Sequence, residues 1–175
     1  MGASHPEEAL MINSPLEGRP VRESLSEYTQ VALPNDANTH GSVLGGHIMH
    51  LIDLCGAVAG TRHARGVVAT ASVSSMSFLL PVRVGQLLIL KSSVNRVFHS
   101  SMEVGVKVWV QDLNTGQVHH TSSAYLTFVT VDENGKPVCV PPVLPETEDE
   151  KRRFEEAGRR RESRLHARGD SACSK

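Results

Sequence analysis

The feature of this sequence that most constrains its fold is a single apolar helical stretch followed by four β-like runs. From Gly45 onward, apolar residues recur at intervals of three or four, at Ile48, Leu51, Ile52, Cys55, Val58 and Ala59, which is typical of a helix buried along its length. Gly56 and Gly60 each cost about 1 kcal/mol of helix propensity relative to alanine, but they let another layer of backbone approach closely. The pattern predicts a helix that begins at Gly45, stops near Gly66 and is covered by a sheet.

The four runs after Gly66 have β-strand character, and turn signals separate them. The clearest alternation places Val104, Val106 and Val108 on one face, and Asn114-Thr-Gly116 suits an antiparallel hairpin. We place these strands at 67–79, 87–98, 101–111 and 118–131, with a shorter β-prone stretch within 23–33. This order predicts an α+β fold in which an antiparallel curved sheet wraps around one long central helix.

The length of 175 residues suits one domain with a hydrophobic core. Residues 1–21 show little periodicity and predict a flexible N-terminal segment; residues 22–140 form the folded domain. Residues 141–175 are a charged C-terminal extension, expected to be a solvated helix that ends in a disordered tail. The helix has more apolar faces than a small sheet covers, so we expect a homodimer with the functional site near the seam.

Composition argues against several functional classes. A net charge of −1 gives no reason to expect nucleic acid or an anionic membrane surface as a partner. No run approaches the roughly 20 apolar residues that span a bilayer, and the first residues do not read as a secretory signal. Three cysteines without paired spacing indicate no disulfide framework and a reduced, cytoplasmic setting. The histidines lack ligand spacing, so we expect no metal site.

The loop that enters the helix is the candidate functional site. Gly45 and Gly46 begin the helix, so their N–H groups are unpaired at the positive end of the helix dipole, and no side chain obstructs a ligand. Asp53 lies seven residues after Gly46, on nearly the same face but about 10 Å along the axis. A carboxylate there is costly to bury without a partner or a function. An acid from a partner's helix would lie closer to these donors, which again favours a dimer.

These residues also carry a family resemblance. In Asn38-Thr-His-Gly41-Ser-Val-Leu-Gly45-Gly46, followed by Asp53, the chain resembles the hotdog-fold acyl-CoA thioesterases. It is most similar to the branch that holds bacterial short- and medium-chain hydrolases and a mammalian cytosolic long-chain acyl-CoA hydrolase. The resemblance continues through 68–85, 106–110 and 125–137. It implies hydrolysis of fatty acyl-CoA without a cofactor, because coenzyme A is part of the substrate, and hotdog dimers assembled as trimers of dimers, that is, hexamers.

The resemblance implies a role for each site residue. Asn38 and Asp53 match the family's paired catalytic positions, which act across the dimer interface. Asp53 would be general base or nucleophile, Asn38 would orient the water or the carbonyl, and Gly45 and Gly46 would stabilise the oxyanion. Two alternatives stay open: Asn38 as a turn or cap residue, and Asp53 as an ion-pair partner of Arg62 or of another basic residue.

Further residues are secondary candidates. Asp36 lies near the expected pocket, with a turn-forming role as its alternative. His40 and His47 flank the loop, and a histidine base is a natural suggestion there. Hydroxyls and arginines could contact the pantetheine arm and the phosphates of CoA; the candidates are Ser72, Ser74, Ser75, Arg62, Arg83 and Arg96.

Two other functions fit this sequence less well than hydrolysis does. A hotdog enoyl-CoA hydratase has an Asp…Asn-Pro…His loop, whereas Asp36-Ala-Asn38-Thr-His40 lacks the proline and has a shorter spacing from acid to histidine. A non-catalytic acyl-CoA-binding or sensing module would usually carry a DNA-binding unit as well, for which the segment before the fold has no room. The acyl chain length that is preferred stays open.

Overall fold

The computed structural model describes residues 16–172 of the chain. Its main sheet has five antiparallel strands in the order β2-β4-β5-β6-β3. The strands are β2 (Ser26–Val31), β3 (Val67–Phe78), β4 (Leu87–Val97), β5 (Ser101–Gln111) and β6 (Val118–Val131), and the long helix α1 spans Gly45–Ala64. The predicted α+β fold of a sheet around one long helix is confirmed. The strands expected at 101–111 and 118–131 match to the residue, while β3 and β4 each end one residue earlier.

The helix α1 lies close against the sheet because glycine occupies the contact. A Cβ at Gly56 would lie 3.1 Å from Cε2 of the fully buried Phe128, tighter than a comfortable contact. Ile52 and Ala59 are fully buried on the same helix. The helix ends at Ala64 and is capped by Arg65, which adopts the left-handed conformation with φ 53°, one residue before the predicted stop. Its N–H closes the last turn on the Thr61 carbonyl at 2.7 Å.

Two irregularities in the pairing of β3 with β6 control which face each β3 residue occupies. Thr70 pairs with Phe128 and Ser72 with Thr127, with a register shift between them; a second shift follows Val73. Phe128 packs against α1, whereas Thr127 belongs to the opposite, outer face. Without the shift, Thr70 and Ser72 would share a face. The extra residue, Ala71, therefore places them on opposite faces of the sheet.

The segment predicted to be flexible is ordered from Arg19 onward. Arg19–Pro20 form strand β1, which pairs in parallel with strand β7, Val143–Leu144, and a short 3-10 turn over Val21–Ser24 follows. The Arg19 guanidinium donates to the carbonyl of His63 at the end of α1. These contacts are far apart in sequence, so local periodicity gives no sign of them. Residues 1–15 of the predicted flexible segment lie outside the described residues.

The C-terminal extension forms the helix α2, Glu148–Ala172, but this helix is not simply solvated. Ala157 is fully buried, and Arg160 forms two hydrogen bonds with the carboxylate of the fully buried Glu103, at 3.1 and 2.7 Å. The outer face of the sheet thus holds α2 through a buried ion pair and small residues. The helix is described to Ala172, and the disordered tail predicted after it, with Cys173, lies outside the described residues.

Candidate active site

Asn38 organises the loop that precedes α1. Its side-chain Oδ1 accepts hydrogen bonds from the N–H groups of His40 at 2.9 Å and Ser42 at 3.2 Å, an Asx turn. The backbone N–H of Asn38 donates to the Ser42 carbonyl at 2.8 Å. The turn-forming interpretation is therefore correct for Oδ1. The exposed side-chain Nδ2 has no acceptor among the residues that the structure describes, so it remains available to a ligand.

The N-terminus of α1 presents two open backbone donors. The N–H groups of Gly45 and Gly46 have no protein acceptor within residues 16–172, and bonding to the Leu44 carbonyl begins with His47. A Cβ at Gly46 would meet no atom within 4 Å, and one at Gly45 would meet only the ring of Phe78, at 3.7 Å. Any oxygen that carries negative charge can approach these donors closely, at the positive end of the helix dipole.

A groove of about 470 Å³ lies beside these donors. One wall is the loop with Asn38, His40 and Ser42, and another is the start of α1 with Gly45 and Ile48. The remaining wall is apolar and runs from the end of β3 into the following turn, through Phe78, Leu79, Leu80, Pro81 and Val82. An open apolar groove that meets a few polar groups is typical of a small-molecule site.

Asp53 is held by a threonine on the neighbouring strand. The Thr70 hydroxyl donates to Asp53 Oδ1 at 2.7 Å, and Asp53 is half-buried. The alternative ion pair with Arg62 is not formed: Arg62 donates to the Leu25 carbonyl and, at 3.4 Å, to Ser26 Oγ. Sequence reasoning missed Thr70, because the face it occupies depends on the extra residue in β3, which no periodicity reveals.

The two predicted catalytic residues are not brought together within one chain. No hydrogen bond or ion pair between residues 16 and 172 joins Asn38 to Asp53. Asp53 lies two helical turns beyond Gly46, about 10 Å along α1. Its partner strand β3 is an edge of the sheet, and nearby apolar side chains are exposed, Val58 to 52% and Val73 to 47%. The acid therefore lies beside an uncovered apolar surface, away from the loop.

The secondary candidates around the loop have structural partners. Asp36 Oδ2 accepts from the N–H of Leu33 at 3.0 Å, and Asp36 Oδ1 lies 3.6 Å from Nε2 of His47. His47 also approaches Gln30, at 3.5 Å. Asp36 therefore stabilises the turn. His47 lies in a cluster with Asp36 and Gln30, and not beside Asp53. His40 is exposed at the edge of the groove.

The residues predicted to contact CoA are scattered. Arg96 lies over the ring of Phe154, 4.3 Å from its centroid, and donates to the Phe154 carbonyl at 3.4 Å. This arginine, like Arg62, makes intramolecular contacts remote from the groove, and a role of the two in CoA binding stays a prediction. Arg83 is exposed, and its backbone forms an isolated β-bridge with Ser42 of the loop. Among the three predicted arginines, it is the one that adjoins the groove.

Two of the predicted serines of β3 lie under α2, and the third is exposed to solvent. Ser74 Oγ accepts from Arg164 of α2, and Ser72 lines a cavity with Arg161. Ser75 is exposed and pairs with Tyr125. Ser72 and Ser74 therefore lie on the outer face of the sheet, under α2, and away from the Asn38 groove.

The described residues contain no group of three or more His, Cys, Asp or Glu side chains arranged to hold a metal ion. Cys55 is buried and Cys139 exposed, and both are free thiols. Within the same part of the chain, no helix is both long and apolar enough to cross a membrane.

Comparison with known proteins decides the family. The profile of the thioesterase superfamily matches residues 40–117. An uncharacterised acyl-CoA thioester hydrolase of Bacillus subtilis is 42% identical over 134 residues, which are 77% of this chain and 78% of the relative. The chain belongs to the thioesterase superfamily. The VdlD protein of Helicobacter pylori is also similar to this thioesterase, 40% identical over 77% of the chain and 76% of the relative.

Solved structures support the same conclusion. An apo-hexameric acyl-CoA thioesterase superposes with a TM-score of 0.85 and 39% identity, covering 87% of this chain and 97% of that one. An acyl-CoA hydrolase of Staphylococcus aureus, solved with butyryl-CoA, CoA and CoA disulfide, gives 0.82 and 35%, covering 89% and 95%. Variants of that hydrolase with an aspartate, an asparagine or a threonine replaced by alanine have also been solved. The thioesterase described here has the hotdog fold and is an enzyme of the acyl-CoA thioester hydrolase family, as the resemblance implied.

Proposed function

We propose that this thioesterase hydrolyses fatty acyl-CoA to free fatty acid and CoA, with Asp53 as general base or nucleophile. The observation that carries the proposal is the Thr70–Asp53 hydrogen bond of 2.7 Å. It fixes a half-buried carboxylate with one oxygen engaged by a hydroxyl. A positioned carboxylate is what thioester hydrolysis needs, either to remove a proton from water or to attack the carbonyl itself.

The variants of the Staphylococcus aureus hydrolase support the same three residues. In that enzyme the replaced asparagine and aspartate are 15 residues apart, and the replaced threonine follows the aspartate by 17. Asn38, Asp53 and Thr70 have the same residue types at the same separations. We infer that these residues occupy corresponding positions in the two enzymes.

The active site is proposed to form between two protomers. Within one chain, Asp53 is too far along α1 to serve a carbonyl bound at Gly45 and Gly46. The edge strand β3 and the exposed apolar side chains of α1 offer a surface that a second copy can cover; those side chains are Met49, Leu54 and Val58. Pairing there lets one protomer contribute the glycines and Asn38, and its partner Asp53. Because a similar solved thioesterase is hexameric, we propose a trimer of such dimers.

The proposed mechanism follows from the donors and the acid. The thioester carbonyl oxygen accepts from the open N–H groups of Gly45 and Gly46, which stabilise the negative charge that develops there. As base, Asp53 takes a proton from a water that Asn38 Nδ2 orients; the hydroxide adds to the carbonyl carbon. The C–S bond then breaks, and the CoA thiolate recovers the proton from Asp53. As nucleophile, Asp53 would attack the carbonyl carbon, and the C–S bond would break to release the CoA thiolate and leave an acyl–aspartyl anhydride. Water would then hydrolyse the anhydride to the fatty acid and the free Asp53 carboxylate, and the thiolate would take up the proton that is released.

The groove provides the apolar part of the site. Phe78, Leu79 and Leu80 are exposed to 49%, 60% and 47%, and they lie beside the oxyanion donors. The acyl chain or the pantetheine arm of the substrate would bury these side chains, which gives a favourable free energy of about 25 cal/mol per Å² of apolar surface. The preferred chain length depends on how deep this groove becomes in the dimer.

The cytoplasmic location stays a prediction.

The proposal is tested by turnover of a panel of acyl-CoAs, from short to long chains, followed through the released thiol. Asp53→Asn and Asn38→Ala should each lower kcat by about 100-fold or more, as expected for loss of a base or an orienting donor. Gel filtration and thermal unfolding should match the wild type. Wild-type rates in both variants would contradict the assignment.

A further inference from the structure

A separate cavity lies on the outer face of the sheet, near the start of α2. Its volume is about 240 Å³, and it shares no lining residue with the Asn38 groove. Strands β4, β5 and β6 form its floor, and α2 contributes Arg153. An apolar cavity of about 150 Å³ accommodates benzene, so this cavity has room for a small organic molecule.

A glycine makes room for this cavity in the middle of its floor. Gly105 of β5 pairs with Ser93 of β4 on one side and with Tyr125 of β6 on the other. A Cβ at Gly105 would lie 2.8 Å from Nδ2 of Asn95, so the amide of Asn95 lies where a side chain would otherwise stand. Polar side chains from the neighbouring strands therefore meet over Gly105.

Two of these polar side chains are buried and have donors to spare. Ser93 is 5% exposed, and its hydroxyl has no hydrogen-bond partner among the described residues. Asn95 is 3% exposed, and its Nδ2 donates to Glu103 Oε1 at 3.1 Å, which uses one of the two N–H groups of the amide. Both residues line the cavity. A buried donor without an acceptor is unfavourable, so these groups favour a ligand that accepts hydrogen bonds.

One cation beside the cavity lacks a counter-charge. Lys91 and Lys107 lie directly opposite each other on β4 and β5, a position in which like charges repel. Lys91 pairs with Glu27 at 3.2 Å, and Arg153 pairs with Asp149 at 3.2 Å. Lys107, by contrast, forms no ion pair within residues 16–172. A ligand with one negative charge would neutralise it.

Aromatic rings form the apolar part of the cavity. Trp109 lines it from β5 and Tyr125 from β6. The guanidinium of Arg160 lies 3.7 Å from the centroid of the Tyr125 ring, and Trp109 meets the ring of His120 edge-on at 5.8 Å between centroids. These contacts hold both rings in place. A ligand that fits the cavity therefore has an apolar body as well as a charge.

We propose that this cavity binds an organic monocarboxylate with an apolar body. The carboxylate accepts hydrogen bonds from the Lys107 ammonium and the Ser93 hydroxyl, and the body packs against Trp109 and Tyr125. A phosphate ester carries about two negative charges, more than the single free cation neutralises. The acid is either the fatty acid that the enzyme releases, in which case the inference rests on the proposed function, or an aromatic acid from another source.

The fluorescence of Trp109 reports on this cavity directly, because the chain contains one tryptophan. Binding of the same acid in the Asn38 groove has no tryptophan beside it. We expect a saturable change in fluorescence when octanoate or phenylacetate is titrated. A response to octanoate alone identifies an acyl acid, and a response to phenylacetate alone identifies an aromatic acid. No response to either acid, or an equal response to octylamine or to inorganic phosphate, overturns the inference.

Two variants test the donors that are assigned to the carboxylate. Lys107→Gln removes the charge of an exposed side chain, so the Tm should not change; acid binding should weaken about 5-fold, and less at high salt. Ser93→Ala removes the hydroxyl and should weaken binding by about 5-fold as well. The matched control is Lys136→Gln, an exposed lysine in the turn after β6, outside the cavity.

The variants also separate this inference from the proposed function. Wild-type affinity in either cavity variant, or an equal loss of affinity in Lys136→Gln, overturns the monocarboxylate site. An enzyme that hydrolyses no acyl-CoA, yet binds octanoate with the predicted dependence on Lys107, contradicts only the proposed function.

Discussion

The Thr70 hydroxyl donates to Asp53 Oδ1 at 2.7 Å, from the edge strand β3 to the middle of α1. This hydrogen bond fixes the rotamer of the carboxylate and leaves its second oxygen for the reaction. The hydrogen bond also links the middle of α1, which faces the exposed apolar surface, to the edge strand β3, which borders that surface. We regard Thr70 as a positioning residue for Asp53.

Replacing Thr70 by valine should impair the chemical step more than binding. The valine keeps the volume but loses the hydroxyl, so we expect kcat to fall about 10-fold while KM changes little, since a charge-assisted hydrogen bond is worth roughly 1.5–3 kcal/mol. Thr70→Ser retains the donor and should restore most of kcat. Equal kcat in the valine and serine variants would show that the hydrogen bond has no catalytic role.

The ion pair between Glu103 and Arg160 should govern the attachment of α2. Within the part of the chain that the structure describes, Arg160→Ala leaves the fully buried carboxylate of Glu103 with one hydrogen bond, from Asn95 at 3.1 Å. We expect the free energy of unfolding to fall by about 3–5 kcal/mol, measured by urea denaturation. The exposed Arg152, which pairs with Asp149 and Glu156, supplies the control Arg152→Ala, for which we expect little change. A similar effect of both variants would contradict the account of α2.

The free energy of unfolding should decrease as the pH is lowered, because His63 is buried in the folded state. This side chain is fully buried, and burial lowers its pKa below the usual 6.5, although its ring Nε2 lies 2.9 Å from the Pro141 carbonyl. Below pH 6.5 the unfolded state binds a proton that the folded state does not, so the free energy of unfolding decreases as pH falls from 6.5 towards the lowered pKa. His63→Gln should flatten this part of the stability profile, as measured by thermal unfolding between pH 7.5 and 5. An unchanged slope would contradict the assignment.

The exposed apolar surface of α1 should hold the dimer together. Val58→Glu places a charge on a side chain that is 52% exposed in the single chain; burying it at an interface is unfavourable. We expect sedimentation to show dissociation and activity to be lost, with the secondary structure retained by circular dichroism. Leu113→Glu is the control, because Leu113 is 55% exposed in the β5–β6 turn. An oligomer unchanged by Val58→Glu would place the interface elsewhere.

Regular elements were predictable because their signals are local. The intervals of Ile48, Ile52 and Cys55 defined α1, and the alternation of Val104 and Val106 defined β5, each from its own segment. Asn38, the two glycines and Asp53 were recognised because the loop–helix segment brings these residue types together in sequence.

Features that depend on distant pairing were not predictable. The role of Thr70 follows from an extra residue at Ala71 that changes which face it occupies. Docking of α2 requires knowledge that Glu103 is buried opposite Arg160, and β1 requires a partner strand more than 100 residues away. Residue type alone also does not reveal which arginines have intramolecular partners, as Arg62 and Arg96 do.

The most direct test of the shared active site is complementation between two inactive variants. Co-expression of Asp53→Asn and Asn38→Ala chains should yield mixed dimers in which one site carries both substitutions and the other carries neither. Random pairing then predicts recovery of about a quarter of the wild-type activity, from one intact site in half of the dimers. Each variant expressed alone should stay inactive. Activity in the mixture no greater than in the separate variants would contradict a site built from Asn38 of one protomer and Asp53 of its partner.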